Sequence, residues 1–405
     1  MTWIKQLNPS IPADAQLERH VPVLDGLRGI ASFWVLLAHV QMLSGLRYTP
    51  VMSWGGLAVD LFMLISGFLM THQYMLRRER EPWEAPASWS RFWLRRFFRI
   101  APLYYVMLFV SLAAGAYLWD MRDILGALYE PAVTLPERYL DTGFGNVFMH
   151  LSFLFGMVPH YAFRTPLPDW SIGLEMQFYF VFPFLILLCQ RIGIVAAGLL
   201  SIGACLALRV AFPGYFEGFA MPAFLPIKLY VFFIGMWVAS SRVTGSMRTP
   251  LVVAVLICFG TYIGTGLTEA LARLLMVVAF FYLFDNGSLW RVPGIDTVRA
   301  SVVRVCSSRL AVFLGDTSYA VYLVHLLVLM PVAGNFALRE SYRQLGEWER
   351  FGLCFAISTP IIYALAWVLH LCIERPGISM GRNVVDGVSR AWLPRMRRAP
   401  TDGSL

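Results

Sequence analysis

Ten stretches of this chain are apolar for about the length that a helix needs to cross a bilayer, roughly 20 residues. They fall near 23–44, 54–75, 98–119, 171–190, 193–212, 225–240, 249–265, 268–285, 310–332 and 351–373. A backbone in hydrocarbon has no water to bond, so a lone apolar run of this length is stable only as a helix. The pattern predicts an all-α, polytopic integral membrane protein with about ten transmembrane helices and no soluble catalytic domain. Composition agrees: 58% of residues are hydrophobic and 14% charged, against about a quarter charged in soluble domains.

The net charge of +8 does not form a nucleic-acid-binding stripe, because the basic residues cluster in short stretches between apolar runs. No nucleic-acid partner is expected; the lipid bilayer is. The six cysteines are scattered through apolar runs without a CxxC or metal-ligand spacing, so neither a disulfide framework nor a metal site is predicted. The first twenty residues are polar and lack an apolar core, which argues against a cleaved signal peptide.

Arginine placement sets the topology. The stretches 76–99, 240–249, 286–309 and the tail after 373 are all arginine-bearing, and such loops stay on the cytoplasmic side. Between the first two an even number of crossings is required. An eleventh, weaker run at 147–163 would break that parity and carries His150, Pro159 and His160, so it is predicted to be re-entrant or interfacial. Ten spans with both termini cytoplasmic result.

Ionisable groups at membrane depth are rare and tend to face a cavity or a partner. Arg28 and His39 are eleven residues apart in the first run; on a helix they lie about 20° apart and about 16 Å apart in height. The alternating directions of the runs place His39, Asp60, Glu175 and His325 in the outer half at similar depth.

These residues lie in motifs that resemble a known family. Leu24-Asp25-Gly26-Leu27-Arg28-Gly29 followed by His39 is similar to the Arg-x10-His opening of acyltransferase family 3. Asp60 followed by Ser66-Gly67-Phe68, Arg95-Arg96 with Arg99, Pro102 and Tyr104, and Trp170-Ser171 with Glu175, Phe178 and Tyr179 resemble three further elements. Leu314-Gly315 with Ser318-Tyr319, Tyr322 and His325, then Glu374-Arg375-Pro376, resemble the last two. The six elements occur in family order. Ile65 before the Ser-Gly-Phe stretch and Gly173 after Trp170-Ser171 depart from the common pattern without removing a reactive group.

The resemblance implies an acyltransferase domain over 22–376, with a cytoplasmic segment at 1–21 and a basic cytoplasmic tail at 377–405, in a bacterial inner membrane. It implies transfer of an acyl group, commonly acetyl, from acyl-CoA as co-substrate, with no bound cofactor. The acceptor would be a hydroxyl of an exported glycan or a lipid-linked saccharide. Some family members add an extracytoplasmic SGNH domain that these 405 residues do not contain, so any second transfer step is expected to need a separate partner.

The expected catalytic set is His39 as general base, Glu175 to orient and charge-stabilise it, and Asp60. Arg28, Arg95, Arg96 and Arg99 are the candidate donor site, since guanidinium groups bind phosphates bidentately. Ser66, Trp170, Tyr319, Tyr322 and His325 are the candidate acceptor cavity. Each has a structural alternative. His39 could be a core histidine bonded to a backbone carbonyl, His325 with Tyr319 and Tyr322 could knit helices, Glu175 could pair an arginine or tyrosine, Arg28 could snorkel to the inner interface, the other arginines could anchor topology, and Ser66-Gly67 could allow close helix packing. Ser66 as an acyl-carrying nucleophile is disfavoured because no histidine adjoins it in sequence. His72, His150, His160 and His370 receive no role. A glycan transporter or flippase is the main alternative function, against which the ordered motifs and the absence of an internal repeat weigh; a non-catalytic envelope assembly or sensor protein is the second, against which the retained His39, Arg28 and Glu175 speak.

Overall fold

A computed structural model of the protein describes residues 21–260 and 266–396, with side chains to Gly387; among these residues there is no β-strand. The first helix, α1 (Pro22–Ser44), begins on a proline, whose missing N–H costs nothing in a first turn. It ends where Gly45 adopts a left-handed φ of 70°. Next come α2 (Gly55–Arg77), α3 (Pro86–Ala113) and α4 (Gly115–Leu128). The predicted run at 98–119 is therefore corrected at both ends. Its helix starts at Pro86, so Arg91, Arg95, Arg96 and Arg99 ride on a helix rather than a loop.

The weak run at 147–163 is not one helix. It holds the end of the short α6 (Phe144–Leu151), preceded by α5 (Glu137–Leu140), and then a 3-10 turn at Leu154–Met157. Nothing in it is long enough to cross a bilayer. Then follow α7 (Trp170–Ile192), α8 (Ile194–Ala211), α9 (Pro213–Glu217), α10 (Leu225–Thr244), α11 (Arg248–Gly260) and α12 (Leu267–Phe284). The chain continues through α13 (Ile295–Cys306), α14 (Arg309–Ala337), α15 (Glu340–Arg343), α16 (Glu347–Leu369) and α17 (Arg375–Met396).

The last two helices are joined by a π-turn at His370–Glu374. Pro376 lacks the N–H that would reach back to residue 372 and its ring crowds that carbonyl, so the turn widens instead of breaking. The tail thus continues the helix to Met396, packing its first part along α3, rather than starting afresh at 377.

Eight helices among the described residues are long and apolar enough to span a membrane, taking Glu347–Gly387 as one. The prediction was ten. The run at 225–240 forms α10, but Lys228 and Arg242 dilute its hydropathy, and every residue from Val231 to Ser241 is buried by protein. The run at 249–265 forms the 13-residue α11, and residues 261–265 lie outside the described part.

Two helix pairs make the core. Helices α1 and α14 pack along their length, with Gly29 facing Leu314 and Gly315 so closely that a Cβ would collide with backbone. Helices α2 and α10 do the same, Gly67 against the Phe232 carbonyl and Gly235 against that of Leu64. Lipid tails are as apolar as leucine, so packing of this closeness is what holds membrane helices together. None of the six cysteines is in a disulfide.

Candidate active site

The helices enclose two cavities that meet at a thin wall. The first is about 320 Å³ and is lined by Arg28, Arg96, Arg99, Ser66, Glu175 and Tyr319, among others. The second is about 520 Å³ and contains His39, Trp170, Arg122 and Arg138. Val59 and Tyr322 border both. Helix α1 runs past the two, presenting Arg28 to the first and His39 to the second, as a spacing of three helical turns along one face requires.

In the first cavity the cations outnumber the acids: Arg28, Arg96 and Arg99 against Asp25 and Glu175. The Arg96 guanidinium lies 5.8 Å from the ring centroids of both Phe92 and Tyr179, and its Nε has no hydrogen-bond partner. Donors left open in this way fit phosphate oxygens. Glu175 Oε1 accepts hydrogen bonds from Ser66 Oγ at 2.6 Å and from the Tyr179 hydroxyl. Tyr319 donates to the Ile100 carbonyl at 2.8 Å.

Several placements differ from those expected. Arg95 is not in the cavity. It makes a two-pronged bond to Glu81, at 2.9 and 2.6 Å, because on α3 it points one residue's rotation away from Arg96. Glu175 does not orient His39, since its carboxylate faces Ser66 and Tyr179 on the other side of the wall. Ser66 and Tyr319 belong to this arginine-lined cavity rather than to that of His39. Asp60 is a structural ion-pair centre and lines neither cavity. Fully buried, it accepts from Lys228 at 2.6 Å and from Arg273 at 2.8 Å, which ties α2 to α10 and α12. Similar depth, the only cue in the sequence, does not report direction around a helix.

In the second cavity His39 has a different partner. Its Nδ1 lies 2.9 Å from the Val35 carbonyl, which only a protonated Nδ1 can bond. The Nδ1 of His325 is held the same way by the carbonyls of Tyr322, at 2.8 Å, and Val321, at 3.2 Å. The Nε2 of His325 is then an acceptor, and it sits 3.3 Å from His39 Nδ1. The network assigns His39 the tautomer with a proton on Nδ1 and a lone pair on Nε2. His325 is thus behind His39, buried to 1% exposure, and not a cavity-lining residue as expected. Trp170 and Tyr322 do line this cavity.

The wall is fixed by hydrogen bonds. The Tyr322 hydroxyl donates to the Pro168 carbonyl at 2.7 Å and receives a bond from Ser171 at 2.6 Å, while Phe62 meets its ring edge-on. Asp169, just before α7, accepts from Thr165 at 2.8 Å and Tyr104 at 3.1 Å, with His150 3.6 Å away. That buried cluster pins the broken 144–168 segment against the second cavity. Among the other unassigned histidines, His370 pairs with Glu374 at 2.9 Å inside the π-turn.

Sequence reasoning missed Arg122, Arg138 and the supporting position of His325, and named Ser171 in a motif without a role of its own. Arg122 and Arg138 lie between apolar runs, where an arginine reads as a topology signal. Only the fold turns them inward.

Comparison with known proteins bears on the same stretch. The acyltransferase domain family matches residues 21–367. The acyltransferase MdmB of Streptomyces mycarofaciens is 27% identical over 386 residues, covering 88% of this chain and 91% of that protein. The peptidoglycan O-acetyltransferase OatA of Listeria monocytogenes is 28% identical over 173 residues, 42% of this chain and 24% of its own length. The putative membrane-bound transacylase BcsY of Komagataeibacter xylinus is 28% identical over 219 residues, 49% of each. No solved structure matches the chain. The match over most of the chain and the enclosed histidine and arginine groups lead to one conclusion: the chain belongs to the acyltransferase domain family and is a polytopic membrane O-acyltransferase.

Proposed function

We propose that this enzyme moves an acyl group, acetyl in the simplest case, from acyl-CoA to a hydroxyl of a cell-envelope or exported glycan. The observation that carries this reading is the pair of cavities on either side of Val59 and Tyr322. One offers guanidinium groups suited to phosphates, and the other offers a histidine with its Nε2 lone pair toward open space. The names of the relatives, an acyltransferase, a transacylase and a peptidoglycan O-acetyltransferase, support the reaction class.

In this scheme the CoA phosphates rest on Arg28, Arg96 and Arg99, and the thioester reaches the wall. The acceptor hydroxyl lies against His39 Nε2, which takes its proton as the oxygen bonds to the acyl carbon. The carbon–sulfur bond breaks, and the CoA thiolate leaves to be reprotonated from His39. His325 holds His39 in the reactive tautomer throughout. The arginine-lined cavity faces the cytoplasm of a bacterial inner membrane, with both termini on that side, as the bias of Lys and Arg favours.

The test is acyl-CoA consumption by purified protein in nanodiscs, paired with mass spectrometry of surface glycans from parent and deletion strains. Loss of a glycan acyl group on deletion, restored by the wild-type chain and not by His39→Ala, is the expected result. Donor KM should rise on Arg99→Ala, by roughly tenfold or more for the loss of a charge-assisted contact, and stay unchanged on Arg95→Ala. Glycans unaltered by deletion, or full transfer by His39→Ala, would refute it.

A further inference from the structure

The lining of the cavity that holds His39 carries positive charge and no acid. Arg122 and Arg138 both line it, and among the described residues no aspartate or glutamate does. Arg138 has partners of its own: its Nε donates to the Thr165 carbonyl at 3.0 Å, and its guanidinium lies 3.8 Å from the Phe163 ring centroid. Arg122 has almost none. It is 4% exposed, its Nε has no hydrogen-bond partner, and its Nη2 meets only the Met42 thioether, at 4.0 Å.

A guanidinium cannot shed its proton to escape burial. An uncompensated buried charge is among the most costly features a fold can hold. Such groups persist where a ligand supplies the missing charge, and local rules of stability are broken mainly at functional sites. The rest of the lining suits a sugar: Trp170 and Tyr48 offer aromatic faces, and Thr134 a hydroxyl.

We infer that the acceptor is anionic, placing a phosphate or carboxylate group against Arg122 while its reactive hydroxyl lies at His39. The inference rests on the reading of this cavity as the acceptor side. The two chemical sources are a sugar phosphate, as in a lipid-linked saccharide, and a uronic acid residue of a polymer. Arg138, already held by Thr165 and Phe163, supplies a second positive charge at fixed distance.

The experiment is thermal unfolding of the full chain in nanodiscs with glucose 1-phosphate, glucuronate, glucose or CoA as probes, since a ligand of the folded state raises the Tm. At least one of the two anions should stabilise the wild-type protein and glucose should not; which anion acts identifies the source. Arg122→Met should weaken the anion effect by roughly ten- to a hundredfold in affinity, the worth of one charged hydrogen bond. Arg122→Lys should keep part of it, and both should retain the response to CoA. Without ligand, Arg122→Met should unfold at a higher temperature than the wild type, because it removes an unbalanced buried charge. Anions that act no better than glucose, or equally well on Arg122→Met, overturn the inference, as does an Arg122→Met protein that loses its response to CoA. A wild-type protein that binds anions through Arg122 but ignores CoA keeps the inference and overturns the donor reading above.

Discussion

At the scale of single residues, the site depends on which nitrogen of His39 carries the proton. The Val35 carbonyl and His325 Nε2 both face its Nδ1, so the lone pair is left on Nε2, in the cavity. His325→Leu removes one of those two acceptors without touching either substrate. It should lower kcat by roughly tenfold to a hundredfold, less than the loss expected for removing a general base, about 10²–10⁴-fold. Donor KM should not change, and His325→Gln, whose amide oxygen can accept, should recover part of the rate. A change confined to KM would remove His325 from a positioning role. Asp60 belongs to a different class. With Lys228 and Arg273 both bonded to it in the core, Asp60→Ala takes the acid from Lys228, leaves Arg273 with Glu269, and should cost about 3–5 kcal/mol of stability. The measure is thermal unfolding of the purified protein, and the molecules that still fold should turn over at a near-normal rate.

At the scale of elements, helix packing decides how close the cavities lie. The backbone of α2 touches that of α10 at Gly67 and Gly235, so a side chain at either position would push the pair apart. Gly67→Val should destabilise by about 1–3 kcal/mol, as overpacking does, and should also slow transfer because Ser66 and Val59 ride on the same helix. Normal stability for that variant, measured by the same unfolding assay, would mean that the contact is loose. The wall is also a property of elements: α14 brings Tyr322, α7 brings Ser171, and the broken segment before α7 brings Pro168. The segment's own irregularity has a purpose here. Its free carbonyls are available to neighbours, and backbone of this kind survives at membrane depth only when protein surrounds it.

At the scale of the whole molecule, the question is which cavity faces which side. A cysteine placed at Arg80, in the loop after α2, should react with an impermeant maleimide only after the inner membrane is opened. One placed at Tyr48, between α1 and α2, should react in intact cells whose outer barrier is permeabilised. Both would be made in a chain whose six native cysteines are replaced. The reverse pattern would invert the assignment of donor and acceptor sides.

How much of this was legible in the amino-acid sequence follows from the physics of each signal. Apolar length and arginine bias are local quantities, so the all-α membrane architecture, eight of the ten spans and the interrupted nature of 147–163 could be read directly. The period of the helix likewise put Arg28 and His39 on one face. What the sequence could not contain is azimuth between helices. Depth alone grouped His39, Asp60, Glu175 and His325, yet packing sends them to three places: Glu175 to Ser66 and Tyr179, Asp60 to Lys228 and Arg273, and His325 to His39. The same limit hid Arg122, an arginine between spans that only the tertiary fold turns into the cavity of His39, where no acid of the lining faces it. Rotation about a helix axis is fixed by contacts between residues far apart in the chain, and so the sequence determined which groups lie in the membrane while the fold determined which of them meet.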